Sequence, residues 1–297
     1  MPKYTCGPVR THHGVRDASG AVTYRRGTTL FLVASDEDQE TTHLRLYDTE
    51  QDGPPVREFA IPHDFLGVDP KNPEIDLEAA TWMGSRMYWI GSHSRSKDGD
   101  YRSSRHRLFA TELRKGVPTP VGRVYKTLVQ DLGLDIDVLA PPKLGGLSIE
   151  GLTATREPGE LLIGVRSPLI SDKAILIPLR NADEVVHPGV EAEFGTPILL
   201  DLAGHGIRSI DYWPERDQYL IVAGPATKSA EDFRLYLWGG SRVEDLKFDF
   251  TGLGLGPAVS PEGLLIEPAS ETVCLFFDEG NRKSPGDFFR SVSIHGI

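Results

Sequence analysis

The chain has 297 residues, a formal net charge of −11, 31 glycines, 22 prolines and only two cysteines. The acidic balance speaks against a nucleic-acid partner, whose surface calls for basic stripes, and means that an anionic substrate needs a local basic pocket. No run approaches the roughly 18 apolar residues of a membrane-spanning helix, and the start Met1-Pro2-Lys3-Tyr4-Thr5-Cys6 lacks a signal-peptide core. A cytoplasmic monomer without a membrane partner is therefore expected, secretion staying open should a leader have been removed.

In chain order, a first strand-like run is Val9 to Val15. A repeated unit follows, in which a small or charged residue precedes an apolar strand, a turn and a second apolar strand. Its copies are Ala18-Ser19-Gly20-Ala21 before Leu30-Phe31-Leu32-Val33, and Leu77-Glu78-Ala79-Ala80 before Met87-Tyr88-Trp89-Ile90-Gly91. The third copy is Ser148-Ile149-Glu150-Gly151-Leu152 before Leu161-Leu162-Ile163-Gly164-Val165-Arg166. The fourth and fifth are Gly206-Ile207-Arg208-Ser209-Ile210 before Tyr219-Leu220-Ile221-Val222, and Pro261-Glu262-Gly263-Leu264 before Val273-Cys274-Leu275-Phe276-Phe277. Taking Ser19, Glu78, Glu150, Arg208 and Glu262 as equivalent, the intervals are 59, 72, 58 and 54 residues, which suits one four-stranded blade per repeat.

Each of the first four pairs is followed by two more strand-like runs, such as Thr42–Tyr47 with Val56–Ile61 and Phe233–Trp238 with Val243–Phe248, bounded by Gly, Pro, Asp and Ser. The fifth unit has only Phe289–Ile294 left, and Val9–Val15 can supply its missing strand, closing the ring without a free sheet edge. The fold class expected is all-β, a five-bladed β-propeller in one domain, with blades at about 17–63, 76–130, 147–203, 206–250, and 260–297 completed by 8–16. A short helix is expected over Tyr125–Leu132. The breaker-rich connection from Asp131 to Gly146 is expected to lie over the channel mouth. Cys6 and Cys274 both fall beside the closing blade, where a bridge is conceivable and two free thiols are the plainer reading.

The equivalent positions begin the channel-lining strands, so they form a ring at one mouth. Three carboxylates aimed at one axis raise one another's pKa unless a cation sits among them. Two cations are available to the argument: a calcium ion (Ca2+), which takes six to eight oxygens, and Arg208 itself, which would make an internal salt-bridge plug. Around this ring the ends of the second strands place Ser35-Asp36, His93 with Arg95, Arg166, Gly224-Pro225 and Asp278-Glu279. Arginine suits recognition of a small anion and histidine moves protons near neutral pH. His12 and His13 are adjacent on a strand and point to opposite faces. Gly252-Leu253-Gly254-Leu255-Gly256 leads into a strand and is no phosphate loop. The four tryptophans, Trp82, Trp89, Trp213 and Trp238, read as packing between blades.

Ile149-Glu150-Gly151-Leu152 through Leu162-Ile163-Gly164-Val165-Arg166-Ser167-Pro168-Leu169, with His205–Ile210 and Pro261–Leu264, resembles a bacterial family of unknown function with predicted propeller folds, and is similar to the esterase-like phytases. The ring also resembles that of the five-bladed calcium-activated nucleotidases, or apyrases, whose central ion is held by Ser, Glu, Glu, Ser and Glu in blade order. Ser19, Glu78, Glu150, Ser209 and Glu262 match that order, and Arg208 directly before Ser209 is the departure. The resemblance implies Ca2+ as a cofactor; that family's nucleotide-binding residues are not found.

Two functions follow as expectations. One is a metal-dependent hydrolase of phosphoesters or related anionic esters, in which Glu78, Glu150, Glu262, Ser19 and Ser209 hold the ion, Arg95 and Arg166 hold the anion and His93 moves protons. The other is a non-catalytic propeller that binds a small ligand or a protein partner, with the ring as a structural Arg/Glu plug.

Overall fold

Five small antiparallel sheets, each contributing its first strand to a central channel, make up the computed structural model, which describes residues 4–25, 29–35, 41–132, 140–186, 190–227, 232–256, 259–267, 271–279 and 287–297. The N-terminal strands are β1 (Thr5–Cys6) and β2 (Arg10–His13). Blade 1 is β3 (Ala18–Thr23), β4 (Leu30–Ser35), β5 (Thr42–Asp48) and β6 (Arg57–Ile61). Blade 2 is β7 (Leu77–Met83), β8 (Arg86–Gly91), β9 (Leu108–Arg114) and β10 (Val117–Tyr125). Blade 3 is β11 (Ser148–Ala154), β12 (Leu161–Ile170), β13 (Lys173–Leu179) and β14 (Ile198–Leu200). Blade 4 is β15 (His205–Trp213), β16 (Gln218–Pro225), β17 (Arg234–Trp238) and β18 (Val243–Asp245). Blade 5 is β19 (Ser260–Glu267), β20 (Thr272–Asp278) and β21 (Phe288–His295), joined on the outside by β1 and β2.

The core shows that the sheets close into a circle. Successive side chains of a strand point to opposite faces, so in β8 Met87 and Trp89 pack with Leu32 and Leu44 of blade 1. Tyr88 and Ile90 face the other way and pack with Ile163 and Ile175 of blade 3. Further apolar clusters lie between blades 3 and 4 and between blades 4 and 5. A last one joins Phe276 and Phe289 of blade 5 to Phe31 and Tyr47 of blade 1. One interface on each side of every blade is the condition for a ring, and burial of this apolar area is what holds the blades together.

The N-terminal strand closes blade 5 as expected, with Arg10 opposite Ser291 and His13 opposite Phe288. It is shorter than Val9–Val15, and a second contact, Thr5 opposite His295, extends the pairing. His12 and His13 do point to opposite faces: His12 is buried, hydrogen-bonded through Nε2 to Ser291 Oγ at 2.7 Å and stacked on Phe289, whereas His13 is exposed. Trp89 and Trp213 are fully buried, in keeping with packing. The expected helix is one turn over Leu128–Asp131, and the middle of the Asp131–Gly146 connection lies outside the described residues. Cys6 is exposed, Cys274 is buried, and both are free.

Burial pushes the His12 imidazole down to about 4. Its folded pKa lies below the unfolded value, so the unfolded chain binds the extra proton and His12 lowers stability as pH falls from about 6.5 towards 4. Chemical denaturation should show the native protein losing about 2 kcal/mol more than His12→Phe between about pH 7.5 and 5. Parallel pH profiles would mean that His12 is not held neutral.

Candidate functional site

The ring residues reach the channel because each sits where its strand carries one residue more than its partner. In β7, Leu77 pairs with Gly91 and Ala79 with Ile90, leaving Glu78 over. Arg208 is left over in the same way between Ile207 and Ser209, and Glu262 between Pro261 and Gly263. The register of β3 shifts between Ala18 and Ala21, around Ser19. Blade 3 has two such shifts: Glu150 is unpaired on β11 and Arg166 is unpaired opposite it on β12. A bulge re-aims a side chain out of the normal alternation, so five bulges in register make the ring. The position after each bulge must be small, since neighbouring channel strands approach there. A Cβ on Gly20 would lie 3.0 Å from the backbone of Ala79, and one on Gly263 would lie 3.0 Å from Ser19 O.

This geometry decides between Arg208 and Ser209. Arg208 is the bulged residue, whereas Ser209 returns to the ladder opposite Val222 and its Oγ accepts the backbone N–H of Leu264 in the next blade at 3.1 Å. Ser209 therefore does not take the ring position that the resemblance to apyrases assigned to it. Ser19 is buried at its own bulge.

Within the ring, Arg166 donates from Nη1 to Glu150 Oε1 at 2.7 Å, and Arg208 Nη1 lies 3.1 Å from Glu150 Oε2. Arg208 Nη2 donates to Glu262 Oε1, which also accepts the Ser260 hydroxyl at 2.9 Å. The side chains of Glu150 and Arg208 are only 4% and 6% exposed, so this is an internal ion-pair chain and not a surface contact. Glu78 lies beside it with its carboxyl held well above the usual range, first by burial, then by the like charges of Glu150 and Asp76. The ion-pair chain itself sets two carboxylates, Glu150 and Glu262, against two guanidiniums, Arg166 and Arg208.

Burial pulls Arg208 down from its ordinary value, opposed mainly by the charge of Glu150. Burial also lowers Arg166, but there Glu150, as a charge and as a hydrogen-bond acceptor, wins and the guanidinium is held above its ordinary value.

Ca2+ fits this arrangement poorly. Both oxygens of Glu150 and one of Glu262 already face arginine, and a guanidinium stands where the ion would collect six to eight oxygen ligands. Among the described residues no cluster of three or more His, Cys, Asp or Glu side chains is arranged to hold a metal.

The second ring is only partly assembled. Arg166 joins the ring itself. Arg95 instead donates to Gly99 O at 2.8 Å and lies over the Tyr101 ring, within the β8–β9 connection. His93 is 2% exposed, has a positive φ of 55°, and hydrogen-bonds through Nδ1 to Gly91 O at 2.8 Å. Burial, reinforced by neighbouring His106, pushes it down to about 3, which leaves it poorly suited to moving protons near neutral pH. Glu279 is held by Arg290, with Nη2 at 2.8 Å from Oε2. Asp36 lies outside the described residues.

Two groups escaped the sequence reading. Asp76, two residues before Glu78, is buried and held by Arg105 at 2.9 Å and by the hydroxyls of Ser92 and Ser94. Burial raises its carboxyl despite Arg105. Asp211, in β15, lies at the other end of the channel and borders a cavity of about 610 Å3. Its signal was available: the residues three places after the ring are Val22, Thr81, Thr153, Asp211 and Leu265, and only one of them is ionisable.

The fold and site thus define a five-bladed β-propeller whose channel is bridged at one mouth by an arginine–glutamate ion-pair chain. By sequence the chain belongs to the family described as protein of unknown function (DUF3616), whose model matches residues 18–115 and 101–248. No curated protein matches. Among solved structures it is similar to a Bacteroides thetaiotaomicron protein of unknown function, at 10% identity and a TM-score of 0.46, covering 98% of this chain and 76% of that one. It is also similar to the β-propeller domain of Myceliophteria thermophila Cps50 (Swd1), at 10% identity, a TM-score of 0.44, and coverage of 98% and 99%. At such scores neither says anything about function. No helix among the described residues is long and apolar enough to cross a membrane.

Removing Arg208 takes the guanidinium from Glu150 Oε2 and from Glu262 Oε1 and leaves only Arg166 and the Ser260 hydroxyl to hold them, so Arg208→Ala should cost about 3 kcal/mol in denaturant unfolding. Arg208→Met combined with Glu150→Gln should cost clearly less than the two single changes added together. Additive losses would show that the two residues are not coupled.

Proposed function

We propose that the protein is a non-catalytic ligand-binding propeller whose Arg/Glu ring is a structural plug. The observation that carries this reading is that both carboxylate oxygens of buried Glu150 face arginines of the same chain, Arg166 and Arg208. A low-dielectric site that supplies its own counter-charges has no need of a divalent ion to relieve carboxylate repulsion.

Hydrolysis of a phosphoester or related anionic ester has less support from the same residues. It asks His93 to exchange protons, yet burial keeps that imidazole neutral. It asks Arg95 and Arg166 to hold an anion, yet they are engaged by Gly99 and by Glu150. A binding role asks less of the ring, which needs only to lock the blades in register around the channel.

Thermal unfolding in EDTA, then with millimolar Ca2+, Mg2+ or Mn2+, is the test. An ion that binds only the folded state raises the midpoint with its concentration. The midpoint should stay flat for the native protein. A Ca2+-specific rise that Glu150→Gln abolishes would overturn the reading and restore the metal-dependent one.

A further inference from the structure

The channel's other mouth differs from the ring in one decisive respect: among the described residues, its acid has no basic side chain paired with it. Asp211 Oδ1 accepts the backbone N–H of Tyr212 at 3.0 Å, and Oδ2 accepts that of Ile266 in blade 5 at 2.9 Å. The bond from Ile266 ties blade 4 to blade 5, the one from Tyr212 stays within β15, and together they hold the carboxyl in a fixed orientation. Among the described residues no basic side chain is paired with it, and the influences on its titration are burial and those two N–H groups alone. Burial wins and pushes the carboxyl up to about 7. An acid placed in this setting becomes an anion only at some cost, which a cation beside it would offset.

The space beside it has a matching chemistry. The cavity of about 610 Å3 is lined by Asp211, Tyr24, Trp82 and Tyr212, with exposed Arg25 as the other charged group of its lining. This volume lies within the range of small-molecule sites. The polar tips of the aromatic residues are already spent on protein: Trp82 Nε1 donates to Thr23 O at 2.7 Å, the Tyr24 hydroxyl donates to Gly116 O, and the Tyr212 hydroxyl donates to Asp217 at 2.8 Å. What remains for the cavity is ring surface, whose faces attract cations: the Arg25 guanidinium already lies 5.2 Å from the Tyr24 ring centroid, Tyr212 packs on Tyr219, and Trp82 lines the cavity beside them. Trp82, read from sequence as packing between blades, does pack against the core between blades 1 and 2 and also lines the cavity that Asp211 borders.

We propose that this cavity binds a small organic ammonium ion, with the ammonium N–H groups on Asp211 and the apolar body against Trp82, Tyr24 and Tyr212. The ligand supplies the missing counter-ion, and its apolar part covers the aromatic surfaces. The proposal rests on the binding reading above, for which it names a ligand class, but it uses none of the ring residues. Binding should strengthen as pH rises through about 7, since Asp211 then loses its proton while a primary amine keeps its own. The other titratable groups of the lining are Tyr24, Arg25 and Tyr212, whose hydroxyl is pushed up by burial and by its bond to Asp217.

Isothermal titration calorimetry with benzylammonium, benzyl alcohol and benzoate tests this on the intact protein. Benzylammonium should bind saturably, and at least about tenfold more tightly than benzyl alcohol or benzoate. Its affinity should fall by about tenfold or more from about pH 8 to about pH 5. Asp211→Asn and Trp82→Leu should each weaken it by a similar factor, and the ligand series and pH profile of the native protein decide the matter should a variant not fold. Equal binding of all three probes, pH-independent affinity, or no heat from millimolar benzylammonium would overturn the proposal. Such a failure with a flat response to divalent ions leaves the structural plug standing, whereas a Ca2+-specific rise in unfolding midpoint removes the plug and not this cavity.

Discussion

The contact on which the channel depends is Arg208 placed between Glu150 and Glu262. A propeller brings the first strands of all its blades to one axis, so any charge written at equivalent positions in the repeat is concentrated there. Three glutamates in that setting would repel one another in a medium that screens weakly. Arg208 replaces one of the five repeated residues with the opposite charge, and Arg166 enters from the second strand of blade 3 to hold the other oxygen of Glu150. Glu78 lies beside this chain with its carboxyl held well above the usual range by burial and by the charges of Glu150 and Asp76. The pairing is therefore distributed over blades 3 to 5, and losing one guanidinium disturbs more than the blade that carries it.

The backbone makes this possible through the bulges. A regular strand would send alternate side chains into the two neighbouring blades and none along the axis. The extra residue in each innermost strand turns one side chain towards the mouth, and the small residue after it lets the next blade approach. Side chains further along satisfy N–H groups of the adjoining channel strand: Thr81 accepts from Ala154, Ser209 from Leu264 and Asp211 from Ile266. These bonds tie one sheet to the next where no ladder can do so.

Much of this was legible in the sequence for a physical reason. The repeat of a polar residue, a small residue and an apolar strand is the bulge and the close approach written in residue types, so blade number, ring register and N-terminal closure followed from it. The choice between Arg208 and Ser209 stayed open because order along the chain does not say which of two adjacent polar residues is the bulged one. The register against β16 does. His93 and Arg95 follow the end of β8, and their side chains turn into their own connection instead of towards the ring, which residue type could not reveal. Asp211 is a single acid among Val22, Thr81, Thr153 and Leu265 at equivalent positions, a weaker signal than three glutamates in register.

The same fold therefore presents two acid-bearing ends with opposite character. One is internally neutralised and suited to holding the blades, and the other keeps a carboxyl beside an aromatic cavity. The central claim is that the first end needs no ion. Anomalous diffraction from crystals soaked in Mn2+ tests it most directly. The account predicts guanidinium density of Arg208 between Glu150 and Glu262 and no anomalous peak on the axis. An anomalous peak coordinated by Glu78, Glu150 and Glu262, with Arg208 swung aside, would contradict it.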